Sequence, residues 1–285
     1  MQSFSTTLFA DANSEYTNSK YVIFGVPFDG TTSFKPGTRD APSAIRSASY
    51  NLETYLPYHN IELPDVPFND LGDLYCDCIP DNVVGQVEDV VTDIKKDRKL
   101  PVMIGGEHSV TIGAVKSLSP KWYVVCDAHF DLMNEFRGSP YNHDCVSARI
   151  SEFIDNIIFV GVRSGSKDEF EQANRKYHVY TSEYISEHGI NSVINDIVKL
   201  VGKDTVYLSI DADAIDCCYT PGLGTPEPFG MTPSDIRSVI REVSKTNVVG
   251  FDYVEVLPND SGQTSIVSAH LIREFIAGHF VSHYS

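Results

Sequence analysis

Basic residues are scarce in this sequence, with 22 Lys and Arg against 39 Asp and Glu, a formal net charge of -17 at pH 7. A field of that sign repels phosphate backbones and anionic bilayers, so nucleic acid and membrane partners are not expected, and cations are mildly attracted. Cysteine is sparse as well. Cys76, Cys78, Cys126, Cys145, Cys217 and Cys218 are too few for a disulfide scaffold in 285 residues and form no paired CxxC motif, which points to a reducing cytosol. Long apolar runs are missing: none approaches the ~18 residues of a membrane span. The start, MQSFSTTLFADANSEY, lacks the basic stretch and apolar core of a secretory signal, so the expected location is cytoplasmic. No repeat, low-complexity tract or Gly/Ser linker divides the chain. With 42% hydrophobic residues, it is expected to fold as a single domain over residues 1–285.

What is present is an alternation of two patterns. Short, nearly continuous runs of β-branched and aromatic residues occur at 21–26, 101–104, 122–126, 156–162, 205–210 and 248–254, the signature of strands buried on both faces. Between them lie segments of helical spacing, such as Val83, Val84, Val87, Val90, Val91 and Ile94, and later Ile190, Val193, Ile194, Ile197 and Val198. At Thr232 a helix start is legible, with Pro233 suited to the first helical position, Asp235 to the positive end, and Ile236, Val239, Ile240 and Val243 forming the buried stripe. A last helix is expected over 265–280, with His270, His279 and His283 as surface or packing residues. Strands alternating with helices predict an α/β fold, three layers α/β/α around a mostly parallel central sheet.

Polar residues cluster just after these strands. His108 follows 101–104, Asp127, His129 and Asp131 follow 122–126, and Asp211 and Asp213 follow 205–210. In open parallel sheets ligands bind at that carboxyl edge. Residues two apart in extended chain point the same way, so each cluster is expected to present one face. Four carboxylates and two imidazoles form an oxygen-rich set with some nitrogen, better suited to Mn²⁺ than to thiolate-bound structural zinc. Four carboxylates at close range need cations to offset their repulsion.

At this point the sequence resembles the ureohydrolase (arginase/agmatinase) family. The resemblance is carried by Gly105-Gly106-Glu107-His108-Ser109, by DAHFD at 127–131 and by SIDAD at 209–213. It continues in FKPGTR at 34–39 with Pro42, Ile45 and Arg46, in Leu71-Gly72-Asp73, and in GTPEP at 224–228, across roughly residues 20–278. It implies an arginase-like fold and two Mn²⁺ per chain, with Co²⁺ or Ni²⁺ as possible substitutes. His108, Asp127, Asp131 and Asp211 would surround one ion, and His129, Asp127, Asp211 and Asp213 the other, with Asp127 and Asp211 bridging. A metal-bridging hydroxide would attack the guanidinium carbon, with Asp131 among the catalytic residues. The family match further implies that Glu255 holds the guanidinium by charge-assisted hydrogen bonds and that His143 passes a proton to the departing amine. Two positions depart from the family pattern. Asp144 follows His143 where the family usually has Gly, and Cys217 follows Asp216 where Pro is common.

Glu227 resembles the agmatinase branch, and Met133 stands where arginases carry an Asn that reads the substrate's α-amino and carboxylate groups. The expected substrate is agmatine, hydrolysed to putrescine and urea. Guanidinobutyrate, guanidinopropionate and arginine are the alternatives within the family. Outside it stand a one-metal zinc amidohydrolase of the deacetylase type and a non-catalytic metal-binding regulatory protein. The expected partners are a small cationic guanidino substrate and, by family analogy, further copies of the chain in a trimer or hexamer.

Overall fold

The computed structural model describes residues 8–285; residues 1–7, part of the start read above as lacking a signal, lie outside the described residues. Among the described residues ten strands are formed: β1 (Tyr21–Val26), β2 (Tyr55–Leu56), β3 (Ile61–Glu62), β4 (Phe68–Asp73), β5 (Leu100–Gly105), β6 (Trp122–Cys126), β7 (Asn156–Val162), β8 (His178–Thr181), β9 (Val206–Asp211) and β10 (Val248–Val254). The helices are α1 (Ala41–Ser49), α2 (Pro80–Lys96), α3 (Thr111–Leu118), α4 (Val146–Ile150), α5 (Lys167–Lys176), α6 (Ser182–His188), α7 (Ile190–Val201), α8 (Pro233–Val243) and α9 (Gln263–Tyr284). Eight strands make one sheet in the order β4-β1-β5-β10-β9-β6-β7-β8, and every pairing in it is parallel. Only β2 and β3 stand apart, as an antiparallel pair.

The three-layer α/β/α expectation holds. One apolar layer joins the sheet to α1, α6, α7, α8 and α9 through residues such as Ile45, Ile194, Ile240 and Ile272. The other joins it to α2, α3, α4 and α5 through Val87, Val115, Val146 and Ala173. The six apolar runs became β1, β5, β6, β7, β9 and β10, each almost wholly buried. Besides the short β2–β3 pair, the strands absent from the sequence reading are the two edges of the main sheet. β4 (FNDLGD) buries only alternate residues and β8 (HVYT) has none buried, so neither carries the continuous apolar run that marks a strand covered on both sides. Helix α8 starts as expected, with Thr232 and Asp235 in a reciprocal capping box. The last helix is longer than the expected 265–280, and His279 is buried in it against the Tyr21 hydroxyl at 2.9 Å.

The connections put β5, β10, β9 and β6 side by side at the centre of the sheet. The residues that follow these four strands therefore meet over one stretch of the carboxyl edge. Buried ion pairs hold the surrounding chain in register. Arg46 is fully buried on α1 and grips Asp70 of β4 through Nε and Nη2 at 2.7 and 2.9 Å, with Nη1 on Asp73. Glu274 of α9 accepts from Arg241 of α8 at 2.8 Å through both oxygens and pairs with His59, in the β2–β3 turn, at 2.8 Å. Among the described residues no helix is long and apolar enough to cross a membrane.

The Glu274 cluster predicts a pH-dependent contribution to stability. Burial opposes ionisation of Glu274, but His59 and Arg241 outweigh it and hold the carboxyl at about 2. A depressed folded-state value gives stability that is present above the unfolded value and lost as pH falls. Chemical denaturation of Glu274→Gln against the natural chain should show a deficit of roughly 3 kcal/mol at pH 7 that shrinks steadily between about pH 4.5 and pH 2. A deficit that does not change with pH would mean that the charge contributes nothing.

Candidate metal centre

Each chemistry-bearing side chain is delivered by the turn that follows a central strand. After β5 the chain passes through Gly106, whose hydrogen points at the Phe28 carbonyl; a Cβ there would lie 1.9 Å from that oxygen, so only glycine permits the approach. The next residues, Glu107 and His108, turn back under the sheet edge. After β6 and β9 the expectation of extended chain fails. β6 ends at Cys126, and Asp127 accepts a hydrogen bond from the His129 backbone N–H at 2.6 Å. Asp211 likewise accepts from the Asp213 N–H at 2.8 Å, opening a single 3₁₀ turn at Ala212–Ala214. Asp131 takes a left-handed φ of 52°. Carboxylates that cap their own turns, rather than side chains alternating along a strand, bring these residues to a common point.

All six sequence-predicted ligands meet there. His108, Asp127 and Asp211 offer atoms within 4.8 Å of one another, as do Asp127, His129 and Asp213. Asp127 stands in both groups, whereas Asp211, expected to bridge as well, stands only in the first. Asp131 lies outside the two close groups, yet its Oδ2 is 3.3 Å from His108 Nδ1. That same nitrogen is 3.1 Å from Asp127 and 3.2 Å from Asp211, and it has no hydrogen-bond partner.

A layer that the sequence reading missed explains the His108 ring orientation. Its Nε2 lies 3.0 Å from Ser209 Oγ, and the Ser209 hydroxyl donates to Asp252 Oδ1 at 2.6 Å. Tyr207 and Thr111 donate to the other Asp252 oxygen at 2.7 and 2.8 Å. With its proton committed to Asp252, Ser209 can only accept from Nε2–H, so Nδ1 is the nitrogen left to face the three carboxylates. Burial opposes charge on His108, but Tyr123 and then Asp127, Asp131 and Asp211 outweigh it and raise its pKa well above that of an ordinary imidazole, so a proton stands on Nδ1 where a metal ion could replace it. The donor set of imidazole nitrogen with carboxylate oxygen suits divalent ions. The protein's own electrostatics agree. Burial, then the charges of Asp213 and Asp127, raises the pKa of Asp211, and burial followed by Asp127 pushes Asp131 up to about 8. Burial also opposes charge on Asp127, but His108 and His129 hold its pKa low. Protons are thus retained where metal ions could replace them. The signal for the missed layer is Asp252 itself, a carboxylate in the middle of the apolar run that became β10.

Above the cluster lies a pocket of ≈ 250 Å³ whose wall includes His129, His143, Asp144, Glu227 and Glu255. Glu255 follows β10 with φ 62°, its backbone N–H donating to Gly106 O at 2.8 Å and its Oε1 accepting from the His108 N–H at 2.7 Å. Burial, and then the nearby Glu107 charge, raises its pKa well above that of an ordinary carboxylate. His143 is also buried, and its Nδ1 lies 4.0 Å from Glu255 while Nε2 has no hydrogen-bond partner. Burial lowers the pKa of His143. The His143 loop is tied down by Thr31, whose hydroxyl accepts the His143 N–H at 3.1 Å and donates to Glu107 at 2.5 Å. Met133, by contrast, is exposed and does not line the pocket.

The arrangement has counterparts among known proteins. A sequence model of the Arginase family matches residues 19–278. An N(1)-aminopropylagmatine ureohydrolase from Thermococcus kodakarensis is 36% identical over 90% of both chains. An agmatinase from Pyrococcus horikoshii is 36% identical over 92% of both. The crystal structure of the agmatine ureohydrolase of Thermoplasma volcanium superposes with a TM-score of 0.92 at 40% identity, covering 98% of this chain and 96% of that one. With its fold and nearly its full length in common with these proteins, the chain belongs to the arginase family, as an agmatinase-like ureohydrolase.

Proposed function

We propose that the chain hydrolyses agmatine to putrescine and urea, with two Mn²⁺ held by His108, Asp127, Asp131 and Asp211 and by Asp127, His129 and Asp213. The observation that carries this reading is His108 Nδ1 lying 3.1 to 3.3 Å from Asp127, Asp131 and Asp211, next to a second group that shares Asp127. When bound, such ions would neutralise the carboxylates, lower the pKa of water and stabilise negative charge on the attacking oxygen.

The remaining steps belong to the chain's own side chains. Glu255 receives the guanidinium. Its Oε1 is fixed by the His108 N–H, and a buried carboxylate of raised pKa gains most from a planar cation placed against it. His143 stands 4.0 Å from Glu255 and is neutral near pH 7 because burial lowers its pKa. It takes up the proton lost by the attacking water and hands it to the nitrogen that leaves as the amine, while the new C–O bond completes urea. The relatives named agmatinase and agmatine ureohydrolase support agmatine as the substrate. A second reading is a longer substrate such as N(1)-aminopropylagmatine, after the Thermococcus relative. It is favoured by a groove of ≈ 750 Å³ that shares Glu227 with the pocket.

Urea release by Mn²⁺-loaded protein tests the reaction. Agmatine or N(1)-aminopropylagmatine should be cleaved faster than arginine or guanidinobutyrate; faster release from arginine would contradict the branch assignment. Glu255→Gln should lower kcat/KM for the preferred guanidine by a hundredfold or more, about the loss of a buried charge pair. A loss below about tenfold would place guanidinium binding elsewhere.

A further inference from the structure

The reaction reading leaves the outer end of the substrate unassigned. Besides Asp131, Asp211 and Asp213 of the candidate metal cluster, three carboxylates line the pocket: Glu255, which is buried, and Asp144 and Glu227, which are partly exposed. Among the described residues no Lys or Arg lies within ion-pair distance of either. Glu227 Oε1 accepts the Ser164 hydroxyl at 3.0 Å and lies 3.8 Å from His129 Nε2. The Asp144 carboxylate accepts no hydrogen bond, although the chain around it is fixed: its N–H donates to Asn142 Oδ1 at 3.1 Å and its carbonyl accepts the Met133 N–H at 3.2 Å. His143 Nε2 lies 3.7 Å from it.

The His143 ring supplies the second observation. It is 94% buried as a residue by its 6% exposure, it lines the pocket, and its Nε2 has no hydrogen-bond partner. Its other nitrogen is 4.0 Å from Glu255, so Glu255 and Asp144 flank one imidazole ring in the pocket wall. Two carboxylates so separated suit a molecule with two cationic groups.

Building on the ureohydrolase reading, the geometry points to Asp144 and Glu227 as the subsite for the far ammonium group of the substrate. The chain therefore selects guanidines with an alkylammonium tail over those with a neutral or carboxylate tail. Glu255 holds the guanidinium, and the tail crosses the pocket alongside His143. Its terminal ammonium donates to Asp144 and Glu227, the two partly exposed carboxylates of the wall. A carboxylate tail placed there meets like charge, which rejects it. Glu227 also borders the neighbouring groove with Glu183, so a second amine on a longer tail has an acidic route outward.

Binding and turnover of three guanidines by Mn²⁺-loaded protein separate this proposal from the reaction reading on which it rests. The probes are agmatine, 1-butylguanidine, which lacks the terminal charge, and 4-guanidinobutyrate. Calorimetry on Asp144→Asn and Glu227→Gln should show agmatine weakened about tenfold by each change, with 1-butylguanidine weakened far less and the preference against 4-guanidinobutyrate reduced. Where urea is released, the loss should fall on KM more than on kcat, and Asp144→Glu should recover part of it. Equal weakening of agmatine and 1-butylguanidine, or an Asp144→Asn affinity for agmatine within twofold of the natural chain, overturns the subsite. Absence of urea from every guanidine defeats the hydrolase reading alone, because the calorimetric comparison still decides whether Asp144 and Glu227 read charge.

Discussion

Four carboxylates buried within a few ångströms of two imidazoles cannot all carry charge without positive ions among them. Asp127, Asp131, Asp211 and Asp213 are each at least nine-tenths buried, and one His108 nitrogen faces the first three at 3.1 to 3.3 Å. Everything else about the carboxyl edge of the sheet serves this arrangement. The strand order places β5, β10, β9 and β6 next to one another, so four turns distant in sequence converge. The Asp252 network beneath fixes which His108 nitrogen faces outward, and the Glu255 contact with the His108 backbone ties the substrate end of the pocket to the metal end.

The central part of the fold was legible because its strands are buried on both faces and therefore read as unbroken apolar runs. β4 and β8 were not, since an edge strand with an open flank has no need of such a run. The capped start of α8 was legible for a local reason: a Thr, a Pro and an Asp at the right offsets satisfy the first free N–H groups regardless of tertiary context.

For the site, the six side chains that converge could be picked out from their placement after strands and from family motifs, but not how they are presented. Period-two alternation suggested extended chain, whereas the short polar side chain of Asp127 bonds the N–H two residues on and curls the chain into a turn. Asp211 does the same. The residues beneath His108 escaped notice because Ser209, Tyr207 and Thr111 look ordinary in sequence and acquire a role only through their common partner. Asp252 alone carried a signal, a charge inside an apolar strand that must find partners once buried. His143 and Asp144 were visible as a motif, but the relation of that loop to Glu255 depends on Thr31 and Glu107, contacts between segments far apart in the chain.

The central claim is that two cations share Asp127. Elemental analysis of Mn²⁺-loaded protein, after removal of loosely bound metal, tests it most directly when run beside Asp127→Ala. The account requires close to two ions per natural chain and fewer than one in the variant, because both groups lose a common ligand. One ion per natural chain, or two retained without Asp127, would contradict it.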